Sequence, residues 1–206
     1  NIYTLELFHG PTLAFKDVGA RFMSRCLSHT LKNDERITVL VATSGDTGGA
    51  VANGFMDIEG IDVVVLYPKN KVSDLQERQF TTLGKNIKAI SVDGTFDDCQ
   101  KFVKDAFTDF QINNYLKLTS ANSINIARWL PQMFYYFICY KSLLKLNKKL
   151  IFSVPSGNFG NLCSGILAKK MGLPIDHFIA STNINDVVPK YLDTGVYSPK
   201  ASQETI

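Results

Sequence analysis

The sequence predicts an α/β protein built on parallel sheets, and three observations lead to this fold class. Short runs rich in β-branched residues alternate with amphipathic helical stretches, several of these runs are continuously apolar, and glycine-rich loops directly follow two of them. Alternating strands and helices are typical of parallel sheets with right-handed crossovers. Continuously apolar strands indicate a sheet that is covered on both faces.

The elements follow one another in a regular order along the chain. The strands, of which Ile-Thr-Val-Leu-Val-Ala is one, are expected at residues 37–42, 63–67, 87–92, 116–119, 150–154 and 178–180. Helices are expected at residues 17–31, 48–57, 74–83, 96–110, 126–146 and 160–171. Because ligands of such sheets bind beyond the carboxyl ends of the strands, the loops that leave the strands are the candidate functional segments.

Composition excludes several classes of protein. The chain has 206 residues, 45% of them hydrophobic, with 22 Lys and Arg against 19 Asp and Glu. This size fits one large α/β domain or two small ones, and the apolar fraction excludes disorder, collagen and coiled coil. The mild, interspersed charge gives no basis for binding nucleic acid or an anionic membrane. No apolar run approaches the roughly 18–20 residues that span a bilayer.

The cysteines indicate a reducing compartment. Cys26, Cys99, Cys139 and Cys163 are far apart and form no Cys-x-x-Cys pair or cluster with histidine. Free thiols are therefore expected rather than a disulfide framework or a zinc site. We expect a cytoplasmic protein without a bound metal.

Two glycine-rich loops could each bind an anion. Their sequences are Thr43-Ser44-Gly45-Asp46-Thr47-Gly48-Gly49 and Ser156-Gly157-Asn158-Phe159-Gly160-Asn161. Glycines allow the backbone to approach a phosphate or carboxylate, and the following helix directs its N–H groups at it. The alternative is a tight strand-to-helix connection with hydroxyl and Asn caps. For each loop taken alone, this structural interpretation and anion binding are about equally favoured. Neither loop matches a Walker A or GxGxxG motif.

Two further segments carry a cation. In the Ser-Ala-Asn-Ser-Ile-Asn-Ile-Ala-Arg run, Asn122, Ser123 and Arg128 could bind a phosphate, because the planar guanidinium matches two of its oxygens. The alternative, a capped helix with an exposed arginine, is favoured for that segment alone. Lys16 precedes a helix and could form a Schiff base if partly desolvated, although such a lysine is usually a solvated surface residue. Taken together, one amine and several anion loops fit a pyridoxal phosphate enzyme with an anionic amino-acid substrate.

These segments resemble, in the same order, those of the threonine synthase family. The resemblance is carried by residues 7–17, 43–48, 120–128 and 155–161 and covers essentially the whole chain. It implies fold type II of the pyridoxal phosphate enzymes (tryptophan synthase β-like), with two parallel-sheet α/β domains that are incomplete here. Family members are longer at both ends, so we expect both ends to be cut from a longer protein.

The resemblance also implies an activity and a role for each candidate residue. The activity is the conversion of O-phospho-L-homoserine and water to L-threonine and phosphate, by a monomer or homodimer. Lys16 would carry pyridoxal 5′-phosphate as an imine and then act as acid and base. The cofactor would also contact Asp46, Ser156, Gly157, Asn158, Phe159, Gly160 and Asn161. The substrate would contact Thr43, Ser44, Gly45, Thr47, Asn122, Ser123 and Arg128.

Two points of this interpretation stay open at the sequence level. Asp46 stands where many relatives carry Asn beside the cofactor's 3′ oxygen, so its role is left open. Other fold type II enzymes, such as cysteine synthase or threonine dehydratase, and a non-catalytic or degenerate homologue are alternatives. The Arg128 segment argues against the two enzymes, because neither needs a site for a substrate-borne phosphate.

The expected domains follow from where the motifs must meet. Residues 36–118 are expected to form a small α/β domain, with residues 1–35 and 119–206 in a larger one. In that arrangement Lys16 and the Ser156 loop meet at one cofactor, and the Thr43 loop faces it across a cleft.

Overall fold

Strands and helices alternate along the whole chain in the computed structural model, which describes residues 1–32, 34–201, 203 and 205. The strands are β1 (Ile37–Ala42), β2 (Ile61–Pro68), β3 (Ile87–Val92), β4 (Leu118–Ser120), β5 (Leu150–Pro155) and β6 (Ile175–Ser181). The α-helices are α1 (Lys16–Thr30), α2 (Asp46–Phe55), α3 (Asp74–Thr81), α4 (Phe96–Thr108), α5 (Phe110–Tyr115), α6 (Ile126–Trp129), α7 (Met133–Leu143), α8 (Gly160–Lys170) and α9 (Val187–Thr194). The chain divides into two compact units, Asn1–Pro131 and Gln132–Ile206.

The first unit is organised around a four-stranded parallel sheet in the order β3-β2-β1-β4. All six positions of β1 are buried, as expected for a strand covered on both faces. The chain steps from β1 to β2 to β3 in one direction and then returns to the far side of β1 for β4. The carboxyl ends of β1 and β4 therefore form a topological switch point, where ligands of open α/β sheets bind.

Helices pack on both faces of this sheet. On one face, α1, α2 and α3 contribute to a core that contains Val39, Val41, Phe55 and Phe80. On the other face, α4 places Cys99 and Val103 against Leu40 and Ala42. Successive side chains of β1 point to opposite faces of the sheet. Val39 and Val41 therefore face α1, α2 and α3, whereas Leu40 and Ala42 face α4.

The second unit contains a two-stranded parallel sheet formed by β5 and β6. Tyr136 of α7 is 2% exposed and packs edge-on against Phe152 of β5, with ring centroids 5.0 Å apart. Gly165 of α8 lies against Tyr136 and Phe178, where a Cβ atom would overlap both rings. This close approach explains a glycine inside a helix.

Two predicted helices are wrong in extent. The predicted helix 126–146 is interrupted by a 3₁₀ turn at Leu130–Gln132, because Pro131 cannot donate the backbone hydrogen bond that an uninterrupted helix needs. The predicted helix 96–110 ends at Thr108, since the Asp109 side chain accepts a hydrogen bond from Ile112 N and starts α5. Helix α9 was not predicted.

A third predicted helix also differs from the structure, and its boundary bears on function. Helix α2 begins at Asp46 rather than at the predicted residue 48, so Asp46 and Thr47 lie on its first turn. Within the part of the chain that the structure describes, no helix combines the length and apolar character needed to cross a bilayer.

The predicted domain grouping stays a prediction. In the first unit, β4 pairs with β1 and α1 packs on α2, so segments from both sides of residues 36–118 contact them. Residues 33, 202, 204 and 206 of the predicted domains lie outside the described residues.

Candidate active site

The loops that follow β1 and β4 meet at the switch point. The side chain of Asn122 reaches across to the last residue of β1: Nδ2 donates to Ala42 O at 2.7 Å, and Oδ1 accepts from Ala42 N at 3.1 Å. Two candidate substrate loops, one after each strand, are thereby fixed side by side. The amide nitrogen and oxygen of Asn122 are both engaged in these hydrogen bonds.

Lys16 brings an amine to the same place. It is the first residue of α1, and its Nζ lies 3.4 Å from Oδ2 of Asp46 on the first turn of α2. The ammonium also lies 5.4 Å from the centroid of the Phe15 ring, within range of a cation–π contact. The Lys16 side chain is 28% exposed, so the amine is sheltered but reachable.

The loop before Lys16 is held by a buried carboxylate that sequence reasoning missed. Asp17 is 4% exposed. It accepts hydrogen bonds from Thr12 Oγ1 at 2.6 Å and from Thr12 N at 3.0 Å. Gly10 packs against this carboxylate, where a Cβ atom would overlap it. The Gly10, Thr12 and Asp17 pattern was visible in the sequence, but its spacing matches no standard cap.

The glycine-rich loop after β1 is organised by Thr43. This residue is 1% exposed, and its hydroxyl accepts from Gly45 N at 2.9 Å and Gly48 N at 2.8 Å while donating to Gly45 O. Gly45 has φ +145° and lies against Gln76, so a side chain there would be strained and would overlap that residue. The Thr43 hydroxyl is thus engaged within the loop, whereas Ser44 is exposed and Thr47 half-buried.

Arg128 is buried, which contradicts the exposed-arginine alternative for its segment. Its side chain is 4% exposed, and an NH group donates to Ala121 O. Burial lowers its pKa to about 10, so the guanidinium remains charged at neutral pH. Its backbone carbonyl lies against Gly19 of α1, and the α6 cap is provided by Asn125. Ser123 is exposed nearby in the chain.

The second glycine-rich loop connects β5 to α8 in the second unit. Phe159 has φ +58°, and no side chain in the described structure caps the start of α8. The space where a Cβ atom of Gly157 would stand is open. Helix N-terminal N–H groups have no acceptor within the helix, so this loop offers donors to an anion.

Asn161 is anchored rather than free to turn toward a ligand. Its Oδ1 accepts from Tyr135 OH at 2.6 Å. The Tyr136 hydroxyl, which has one proton to donate, lies 2.8 Å from the same Oδ1 and 3.0 Å from the Asn161 backbone oxygen. Burial raises the pKa of both tyrosines, so they remain neutral donors. The sequence showed these tyrosines only as members of an apolar helix.

A family model described as pyridoxal-phosphate dependent enzyme matches residues 1–206. The chain belongs to this family. A threonine synthase from Buchnera aphidicola subsp. Acyrthosiphon pisum is 54% identical over the whole chain, which covers 48% of that protein. The crystal structure of threonine synthase from Escherichia coli superposes with a TM-score of 0.89 at 55% identity, over 97% of this chain and 46% of that one.

A further solved structure carries the cofactor in its name. The pyridoxal-phosphate-bound threonine synthase from Brucella melitensis has a TM-score of 0.89 at 44% identity, over 98% of this chain and 44% of that chain. The chain spans about half the length of the curated relatives it matches. These matches confirm the predicted fold class and the resemblance to threonine synthases.

Each unit by itself offers one of the chemical groups that pyridoxal phosphate needs. The cofactor needs an amine for its aldehyde carbon and donors for its phosphate. Lys16 provides a sheltered amine held by a carboxylate. In the second unit, residues 157–160 provide backbone donors at a helix start with open space at Gly157, whereas the Ser156 N–H already donates to Ser181 O.

Proposed function

We propose that the protein is a threonine synthase that converts O-phospho-L-homoserine and water to L-threonine and phosphate with pyridoxal phosphate. The observation that carries this proposal is the contact between Lys16 Nζ and Asp46 at the switch point. It occurs in a chain that is 54% identical to a threonine synthase along its whole length. We further propose a cytoplasmic monomer or homodimer.

Lys16 is proposed to hold the cofactor and to move protons. Bound pyridoxal phosphate supplies an electron sink for negative charge on the substrate carbons. The Lys16 amine takes and returns protons at the α and β carbons of the substrate, because it is the sheltered base nearest the switch point. Asp46 keeps Nζ in place between transfers.

Backbone and hydroxyl donors are proposed to bind the two anionic ends of the substrate. The exposed Ser44 and the first turn of α2, with Thr47, receive the carboxylate, which a helix N-terminus favours. Ser123 and the guanidinium of Arg128 receive the phosphate. Thr43 and Asn122 act by holding these loops in shape, as their hydrogen bonds support.

The loop after β5 is proposed to hold the cofactor phosphate. Gly157, Asn158, Phe159 and Gly160 contribute through the backbone. Ser156 shapes the start of the loop, because its N–H donates to Ser181 O at 2.8 Å and its hydroxyl to Val154 O at 2.9 Å. Asn161 fixes the loop to α7. In the full protein, residues 1–35 and 119–206 are proposed to join a larger domain around residues 36–118.

The experiment is a product assay on the full-length protein. With O-phospho-L-homoserine, we expect threonine and inorganic phosphate in equal amounts, without any added thiol. Ammonia released from threonine as the main activity would indicate a dehydratase instead. A strict need for a thiol acceptor would indicate a cysteine synthase. No turnover of any of these substrates by a protein that carries its cofactor would indicate a non-catalytic homologue.

A further inference from the structure

Asp46 is held from two sides in the structure. Its Oδ2 accepts from Lys16 Nζ at 3.4 Å, and its Oδ1 accepts from Gln76 Nε2 at 2.6 Å. Gln76 lies on α3, 30 residues further along the chain from Asp46. The contact with Gln76 is the shorter of the two, and Gln76 has no role in the proposed function.

The orientation of the Gln76 amide is determined by its neighbours. A carboxylate only accepts hydrogen bonds, so the amide nitrogen must face Asp46. The amide oxygen then accepts from the hydroxyl of Ser73 at 3.0 Å, and Ser73 caps α3. The amide is thereby fixed at both ends, and it presents one donor to one oxygen of Asp46.

The backbone around this contact leaves little freedom. Gly45, next to Asp46, lies against the Gln76 amide, and its φ of +145° is a conformation that other residues rarely adopt. Gln76 is half-buried, so its hydrogen bond to a charged group is partly shielded from water. Such bonds are stronger than bonds between neutral groups.

We infer that Gln76 is a positioning residue, which orients the Asp46 carboxylate and through it the Lys16 ammonium. The inference rests on the role of Lys16 proposed above. Fixing Oδ1 of Asp46 leaves Oδ2 directed at Nζ, so the amine has a defined position whenever it is not bound to the cofactor. Without the amide, the carboxylate can rotate and the amine loses that position.

The contact can be tested in the full-length protein freed of its cofactor. A water-soluble carbodiimide joins a carboxylate and an amine only where they touch, and peptide mass spectrometry quantifies the amide formed. The exposed pair Lys117 and Glu35, whose charged atoms lie 2.9 Å apart, is the internal reference. In Gln76→Met, we expect the Lys16–Asp46 crosslink to fall about tenfold, the equivalent of one hydrogen bond to a charged group. The reference crosslink should not change.

Gln79→Met is the matched control on the same helix. Gln79 also packs against α2, at Gly49, but its amide donates to Thr12 O and not to Asp46. We expect this variant to keep both crosslinks. If Gln76→Met also loses the reference crosslink, the milder Gln76→Asn, whose amide is one methylene too short, replaces it with the same expectation.

A kinetic readout separates positioning from a merely structural role. When pyridoxal phosphate is added, we expect imine absorbance to appear about tenfold more slowly in Gln76→Met, with the same final extent. Borohydride trapping on Lys16 in the wild type tests the proposed function separately. An unchanged Lys16–Asp46 crosslink in Gln76→Met, an equal loss in Gln79→Met, or no such crosslink in the wild type would each overturn the inference.

Discussion

Arg128 keeps its charge in a buried position. Its side chain is 4% exposed, and an NH group donates to the carbonyl of Ala121, one residue before Asn122. A guanidinium presents several donors in one plane and can contact two oxygens of a dianion at once. This charge and geometry are the physical reason to propose Arg128 for the phosphate.

Replacing Arg128 by Leu tests this role. We expect Arg128→Leu to weaken use of O-phospho-L-homoserine by about 2–5 kcal/mol, because one member of a charge pair is lost. Arg128→Lys should recover only part of the activity, since an ammonium cannot contact two oxygens at once. Steady-state rates measure both effects. Cofactor binding, at the proposed loop 156–161, should barely change, and near wild-type activity in Arg128→Leu would place the phosphate elsewhere.

The sequence predicted that the candidate loops follow β1 and β4, whereas the hydrogen-bond partners of their side chains are known only from the structure. Thr43 and Asn122 were predicted as substrate ligands, yet their polar atoms tie the loops together. The partner of Asn122 is Ala42, 80 residues away in the chain. No local pattern reports such a partner, so the engagement of these side chains could not be predicted. The contact of Gln76 with Asp46, 30 residues away in the chain, was not predicted for the same reason.

At the scale of elements, the loop after β5 depends on α7 for its shape. Tyr136 is 2% exposed and donates to Asn161 at the start of α8. We expect Tyr136→Phe to lower the free energy of unfolding by about 0.5–1.5 kcal/mol, because the half-buried oxygens of Asn161 lose one of their two tyrosine donors. Pyridoxal phosphate affinity should fall as well. Urea unfolding and cofactor titration measure the two effects.

Tyr140→Phe provides the control for this substitution. Tyr140 lies on the same helix α7 and is only partly buried. We expect its replacement to leave both stability and cofactor affinity close to those of the wild type. Equal stability of Tyr136→Phe and the wild type would contradict the anchoring role of Tyr136.

Locally determined elements were predicted accurately, whereas interrupted helices were not. Strands 37–42 and 87–92 match the structure residue for residue, because β-branched apolar runs specify a strand on their own. The predicted helix 126–146 followed continuous apolar residues through Pro131. The proline was the available signal for the break. The Asp109 cap was also visible in the sequence, although apolar periodicity continued across it.

At the scale of the whole chain, the two sheets differ in how well they are covered. All positions of β1 are buried between two parallel neighbours. Among the described residues the second sheet consists of β5 and β6, with Ile151 57% and Ile179 55% exposed. Two-stranded sheets have little stability of their own.

This difference predicts unequal protection of the backbone. For chain 1–206 in native conditions, we expect amides of β1 to exchange with deuterium slowest and those of β5 and β6 clearly faster, since exchange follows local stability. Hydrogen–deuterium exchange with peptide mass spectrometry measures this. Equal protection of both sheets would contradict the account.

The sequence alone predicted the fold class because alternation of strands and helices is a property of the whole chain. The grouping of residues 1–35 with 119–206 remains a prediction. This grouping depends on where two distant segments meet. It is supported only by the motifs around Lys16 and Ser156, which are expected to bind one cofactor.

The proposed attachment of the cofactor to Lys16 can be tested by trapping it covalently. The full-length protein is incubated with pyridoxal phosphate, reduced with borohydride, digested and analysed by mass spectrometry. We expect the reduced adduct on Lys16. Lys16→Ala should carry no adduct and should stay folded, because a partly exposed lysine contributes little to packing. An adduct on a different lysine, or none on the wild type, would contradict the account.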